Sequence, residues 1–183
     1  GFSTNPYVII REFDRAAPLG TGIYKVGGNY AASLRANKKA HDLGYACEFY
    51  LDAKEKKYMD ECGAANFFGI KDNTYITPKS TSILPSITRR SLLWIGEHML
   101  GMKVEERPVA LSEVADFAEC GLCGTAAVIS PVGMISDHGK DIYIPAGMEK
   151  MGPVTEKLYN TIRGIQMGTV EAPEGWLREV CKK

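Results

Sequence analysis

The chain has no excess of either charge: its 183 residues hold 22 Lys and Arg against 22 Asp and Glu. Nothing in it builds the positive field that draws a polyphosphate backbone, which excludes nucleic-acid binding as a function class. Long apolar runs are missing too. None approaches the ~20 residues of a membrane span, so no membrane partner is expected. The opening GFSTNPYVIIREFDRAAP lacks the charged-then-apolar layout of a signal peptide. Histidine is scarce, and His41, His98 and His138 have no partners at ligand spacing, so no metal is expected. The cysteines Cys47, Cys62, Cys120, Cys123 and Cys181 are odd in number and irregular in spacing. That argues against a disulfide framework and for reduced thiols in a cytoplasmic protein.

What is present is enough for a folded core. Hydrophobic residues make up 45% of the chain, and the length fits one domain or one large lobe of two. Apolar runs predict strands over 7–13, 47–51, 58–61, 102–109, 119–123 and 128–135. A hairpin is expected from 66–70 and 74–77 around Lys71-Asp72-Asn73. Helical spacing predicts α-helices over 29–43 and 88–100, and one that starts at Pro153 and stops at Gly168. The first helix has a thin apolar face of Tyr30, Leu34 and Leu43. The last has Val154, Leu158, Ile162 and Ile165. A short helix through Phe117 is expected with Ser112 as its cap. The fold class is mixed α and β without repeats.

Several residues are placed where chemistry is plausible. Lys25 lies in the glycine-rich string Gly22-Ile23-Tyr24-Lys25-Val26-Gly27-Gly28-Asn29-Tyr30 before a helix, a place to look for Schiff-base chemistry. Read alone, it is a surface loop lysine like the basic residues generally. Leu84-Pro85-Ser86-Ile87-Thr88-Arg89 leads into the clearest helix, whose free N–H groups and partial positive charge suit an anion. Capped helices are common, however. Cys120 and Cys123 form a single CxxC in a strand, where residues three apart face opposite sides, so neither zinc nor a redox pair is assigned.

Together these strings resemble the branched-chain amino-acid aminotransferases, class IV enzymes that use pyridoxal phosphate (PLP). The resemblance runs from about Asp14 to Trp176 through four ordered motifs: the lysine loop, Glu61-x-Gly63-x-x-Asn66, Leu84-Pro85-x-Ile87-Thr88-Arg89 and Gly124-Thr125-Ala126. Ser86 stands where the family commonly has glycine. The resemblance implies the C-terminal domain of a fold-type IV PLP enzyme, a mixed sheet or pseudo-barrel with flanking helices. It implies that Lys25 is the catalytic, cofactor-holding lysine and that Tyr30 bonds the ring oxygen O3′. Glu61 would face the pyridine nitrogen, and the amides of Ile87 and Thr88, with Thr125, would hold the phosphate. Thr125 and Ala126 would meet the substrate carboxylate, and Arg15 would be a support residue. Some relatives carry a redox CxxC after this turn, where Ala127 and Ser130 stand here, so none is carried over.

The implied reaction exchanges amino groups between Leu, Ile or Val and 2-oxoglutarate. The implied assembly is a homodimer. Residues 1–13 are expected to be an interdomain strand or linker and 14–183 the PLP domain. An N-terminal domain would be missing, leaving this chain inactive alone. A PLP lyase, a D-amino-acid aminotransferase and a non-catalytic oligomerising fragment remain as alternatives.

Overall fold

The computed structural model describes residues 4–63, 65–178 and 180; Cys181 lies outside them. Among these residues nine strands form one sheet: β1 (Asn5–Ile9), β2 (Glu48–Leu51), β3 (Met59–Cys62), β4 (Ala65–Lys71), β5 (Thr74–Pro78), β6 (Lys103–Arg107), β7 (Glu119–Gly124), β8 (Val128–Asp137) and β9 (Lys140–Tyr143). The helices are α1 (Gly27–Asp42), α2 (Ile87–Met99) and α3 (Pro153–Met167), with a 3-10 turn at Leu111–Asp116. The strand order β3-β2-β1-β8-β7-β4 closes on itself through the β3–β4 pairing. Six strands therefore form a ring, with β5, β6 and β9 attached outside it. The fold is mixed α and β, with the sheet closed as the expected pseudo-barrel and helices at its flanks.

Alternation along the strands creates the cores. Tyr7 and Ile9 of β1, Phe49 and Leu51 of β2, Phe67 of β4 and Val132 of β8 fill the ring interior. Their neighbours Val8, Ile10 and Tyr50 face outward and meet Ala36 and Ala40 of α1. A third cluster lies under α2 and α3, where Leu92, Ile95, Leu158, Ile162 and Ile165 cover Phe68, Tyr75 and Ile129. Phe68 and Tyr75 stack at 4.8 Å between ring centroids.

The expected elements form, with particular differences. The first strand ends at Ile9 rather than at 13, because Arg11 leaves the ladder to pair with Asp137 at 2.8 Å. Asn5–Ile9, within the stretch read as an interdomain strand or linker, pairs with β2 and β8 in the ring. Helix α1 starts two residues earlier than predicted and does not use Leu34 or Leu43, which are 68% and 56% exposed. It approaches Tyr50 on alanines instead. Ala110, not Ser112, precedes the 3-10 turn, and Glu113 accepts the Ala110 amide at 2.7 Å. Gly168 takes φ 73 at the end of α3, the left-handed stop expected of it. Strand β9 was not anticipated. Cys120 enters the ring interior while Cys123 lies under the helices, as alternation requires.

No helix among the described residues is long and apolar enough to cross a membrane.

Candidate active site

The β3–β4 turn, the β7–β8 turn and the loop before α2 meet at one end of the ring. Register places Glu61 opposite Asn66, Asn66 opposite Cys123, and Cys123 opposite Ile129. This row ends at the 125–127 turn that carries Thr125 and Ala126, both exposed. Val128 closes that turn at φ 63, an unusual backbone for a β-branched residue and a local store of strain.

Glu61 is the centre of the arrangement. It is 2% exposed. Its Oε1 accepts from Asn66 Nδ2 and from the Leu84 amide, each at 2.9 Å. Its Oε2 pairs with Arg15 Nε. Burial pushes this carboxyl up to about 7, against the downward pull of Arg15 and the Leu84 amide.

Arg15, itself buried, also donates to the carbonyls of Gly22, at 3.0 Å, and Ser82. One guanidinium thus joins Glu61, the lysine loop and the loop before α2. Gly22 must be glycine here, since a Cβ would lie 2.4 Å from the Ser82 carbonyl oxygen. The two loops touch backbone to backbone.

Asn29 shapes the lysine loop. Its Nδ2 donates to Thr21 O at 2.8 Å and Tyr24 O at 2.9 Å, and its Oδ1 accepts from Thr21 Oγ1 at 2.8 Å. The loop between is folded around this side chain. Lys25 is exposed at its tip, with no ion pair or hydrogen bond from its amine among the described residues. Tyr30 is half-buried, at the end of the first turn of α1. Among the described residues no hydrogen bond or ion pair joins Lys25, Tyr30 or Thr125 to Glu61; they share its end of the ring through the loops and turns just described.

At α2, Ser86 caps the helix by accepting the Arg89 amide at 3.3 Å. The amides of Ile87 and Thr88, the first two of α2, have no partner among the described residues, the usual condition of a helix start.

Sequence reasoning missed Asp60. Met59 and Cys62 both point into the ring, and the β2–β3 register shifts between them. This bulge turns Asp60 and Glu61 to the same loop. Asp60, 2% exposed, accepts from Ser82 Oγ at 2.5 Å, two residues from the Leu84 amide that Glu61 binds.

The family profile described as amino-transferase class IV matches residues 2–135, and the chain belongs to that family. It is 52% identical over 178 residues to the branched-chain-amino-acid aminotransferase of Haemophilus influenzae, a match covering 94% of this chain and 52% of that protein. Among solved structures it is similar to the Escherichia coli branched-chain amino acid aminotransferase, with a TM-score of 0.85 and 31% identity, covering 98% of this chain and 57% of that one. It is also similar to the PLP form of the Thermobaculum terrenum enzyme, with a TM-score of 0.81 and 26% identity, covering 92% and 52% of the two chains. The chain spans about half the length of the curated relatives it matches.

Proposed function

We propose that this chain is the cofactor-binding domain of a PLP-dependent branched-chain-amino-acid transaminase, exchanging amino groups between Leu, Ile or Val and 2-oxoglutarate. The observation that carries this reading is the acceptor count at Glu61. An ionised carboxylate offers about four acceptor positions. Asn66, the Leu84 amide and Arg15 take three. One position remains on Oε2, in a buried setting that suits the N–H of a protonated pyridine ring. The open amides of Ile87 and Thr88 suit a phosphate at the same end of the fold. The residues present fit the cofactor.

When bound, PLP supplies an electron sink for the electrons left on the substrate carbon after proton loss. The rest falls to the chain. Lys25 would hold the cofactor through its amine and would carry the proton to and from the substrate carbon. The Tyr30 hydroxyl would bond the ring oxygen O3′. Glu61 would keep the ring nitrogen protonated. Thr125, with Ile87 and Thr88, binds the phosphate, and Thr125 and Ala126 orient the substrate carboxylate. Arg15 keeps Glu61 and the lysine loop in register.

We further propose that residues 14–183 form the PLP domain and that a separate N-terminal domain completes the substrate pocket. In this reading the working assembly is a cytoplasmic homodimer and the present chain alone is a poor catalyst, because a half-site neither excludes water nor fixes the substrate. The names of the relatives, and the half-length match to them, support this over a lyase.

The test is a PLP titration of the chain followed by absorbance, borohydride reduction and peptide mapping. The expected result is a visible band and a single label on Lys25, without leucine-dependent glutamate formation. Label scattered over surface lysines would refute the site. Full turnover by the chain alone would refute the two-domain reading.

A further inference from the structure

Asp60 has no place in the scheme above, yet it is one of the most deeply buried acids in the chain. Its surroundings differ sharply from those of its neighbour Glu61. Glu61 has a guanidinium and two N–H donors. Asp60 has only neutral hydroxyls: Ser82 Oγ donates to Oδ2, and Ser80 Oγ, 2.8 Å from Ser82 Oγ, adds a weaker contribution. Asp60 Oδ1 is buried without any partner among the described residues.

The charges facing Asp60 are few. Arg15 comes from the loop before Lys25, Asp52 from the turn after β2, and Glu61 adjoins it on β3. Ser80 and Ser82 supply only hydroxyls from the loop before α2. Two acids thus face one cation, and that cation is bonded to Glu61. An ionised oxygen buried with no donor is costly, whereas a protonated carboxyl is far less so. Burial raises Asp60 above its ordinary value, with Ser82 pulling the other way. For two coupled acids the donor sets decide which of them keeps a shared proton. Here they favour Asp60 as the neutral partner. With Asp60 neutral, its upward push on Glu61, the smallest acting there, vanishes, and Arg15 and the Leu84 amide are left to oppose burial.

We propose that Asp60 is a positioning residue that keeps the proton of the Asp60–Glu61 pair, so that Glu61 stays ionised for the ring nitrogen of bound PLP. The proposal rests on the PLP reading only in its second half. The proton's location is a property of the protein without cofactor. Asp60 acts through Glu61 and touches no reacting atom. The serines before α2 and the β3 bulge hold its carboxyl in place.

The first measurement is carbon-13 NMR of carboxyl-labelled protein without cofactor, with through-bond assignment so that no variant has to fold. The expected result is an Asp60 carboxyl that keeps its proton to higher pH than Glu61 does. An Asp60 that titrates in the ordinary acid range, or a Glu61 that keeps its proton to the higher pH, overturns the proposal. The second measurement follows the PLP absorbance band against pH in wild type and Asp60→Asn. Asparagine is neutral, nearly isosteric and keeps an acceptor for Ser82. The band's midpoint should therefore not move. A midpoint shifted to lower pH in Asp60→Asn would mean that Asp60 is ionised in wild type, and would sink the idea. Failure of wild type to form any band while the NMR result holds would count against the PLP reading and leave the proton on Asp60.

Discussion

At the scale of residues, one cation organises the site. Arg15 reaches Glu61, Gly22 and Ser82 because a guanidinium presents several N–H groups in a fixed fork, which a lysine does not. The acids beside it make stability depend on pH in a definite direction. Asp60 and Glu61 are both raised by burial, Glu61 to about 7. An acid raised on folding binds more protons in the folded chain than in the unfolded one. Its contribution is full below the ordinary carboxylate value of ~4 and is lost as pH rises through the folded value. Asp137 and Glu12, lowered by Arg11 and Lys39, act in the opposite sense and at lower pH. Urea unfolding should therefore show stability falling from about pH 5 to about pH 7. Asp60→Asn should flatten that fall, and a wild-type curve that rises across the window would contradict the assignment. Lys25 and Glu61 were legible in the sequence because short strings surround them. Asp60 was not. Consecutive strand residues normally alternate faces, and no residue in Tyr58-Met59-Asp60-Glu61-Cys62 announces the bulge that puts both acids on one side.

At the scale of elements, α2 is the piece whose start matters. Ser86 replaces the glycine that the resemblance implies, and its hydroxyl takes the Arg89 amide. Ser86→Ala should cost about 1 kcal/mol, and Ser86→Gly only a few tenths. Thermal denaturation of the two variants separates them. Equal losses would mean that the cap contributes nothing. Helices α2 and α3 were readable from their spacing because Leu92, Ile95, Leu158 and Ile162 are large and regular. Helix α1 misled: Leu34 and Leu43 were the obvious candidates, yet Ala36 and Ala40 make the contact. Small residues let the helix axis come close to Tyr50, and alanine carries little signal of its own. Strand β9 gave no alternation to read, since Lys140, Asp141 and Tyr143 are exposed. Its mark was the turn before it, where His138 and Gly139 take φ 49 and φ 85.

At the scale of the whole molecule, the site exists because the ring closes. Alternation predicted strands but not which strands meet, and the ring depends on pairings between distant segments. The longest links β1 to β8, with Arg11 bonding Asp137 across 126 positions. Contacts of that span slow folding, because loop closure comes before any gain from pairing. Pulsed hydrogen exchange during refolding should protect the β4–β5 hairpin first and β1 with β8 last. Early protection of β1 along its β8 edge would refute that order. The same span has a meaning during synthesis. One edge of β1 is covered once β2 has emerged from the ribosome. The other waits for β8, an interval on the order of ten seconds at common elongation rates. Throughout it, a short apolar strand presents a bare row of backbone donors and acceptors to every nascent neighbour. The yield of folded chain then depends on β1 and the company that strand keeps while β8 is still being made.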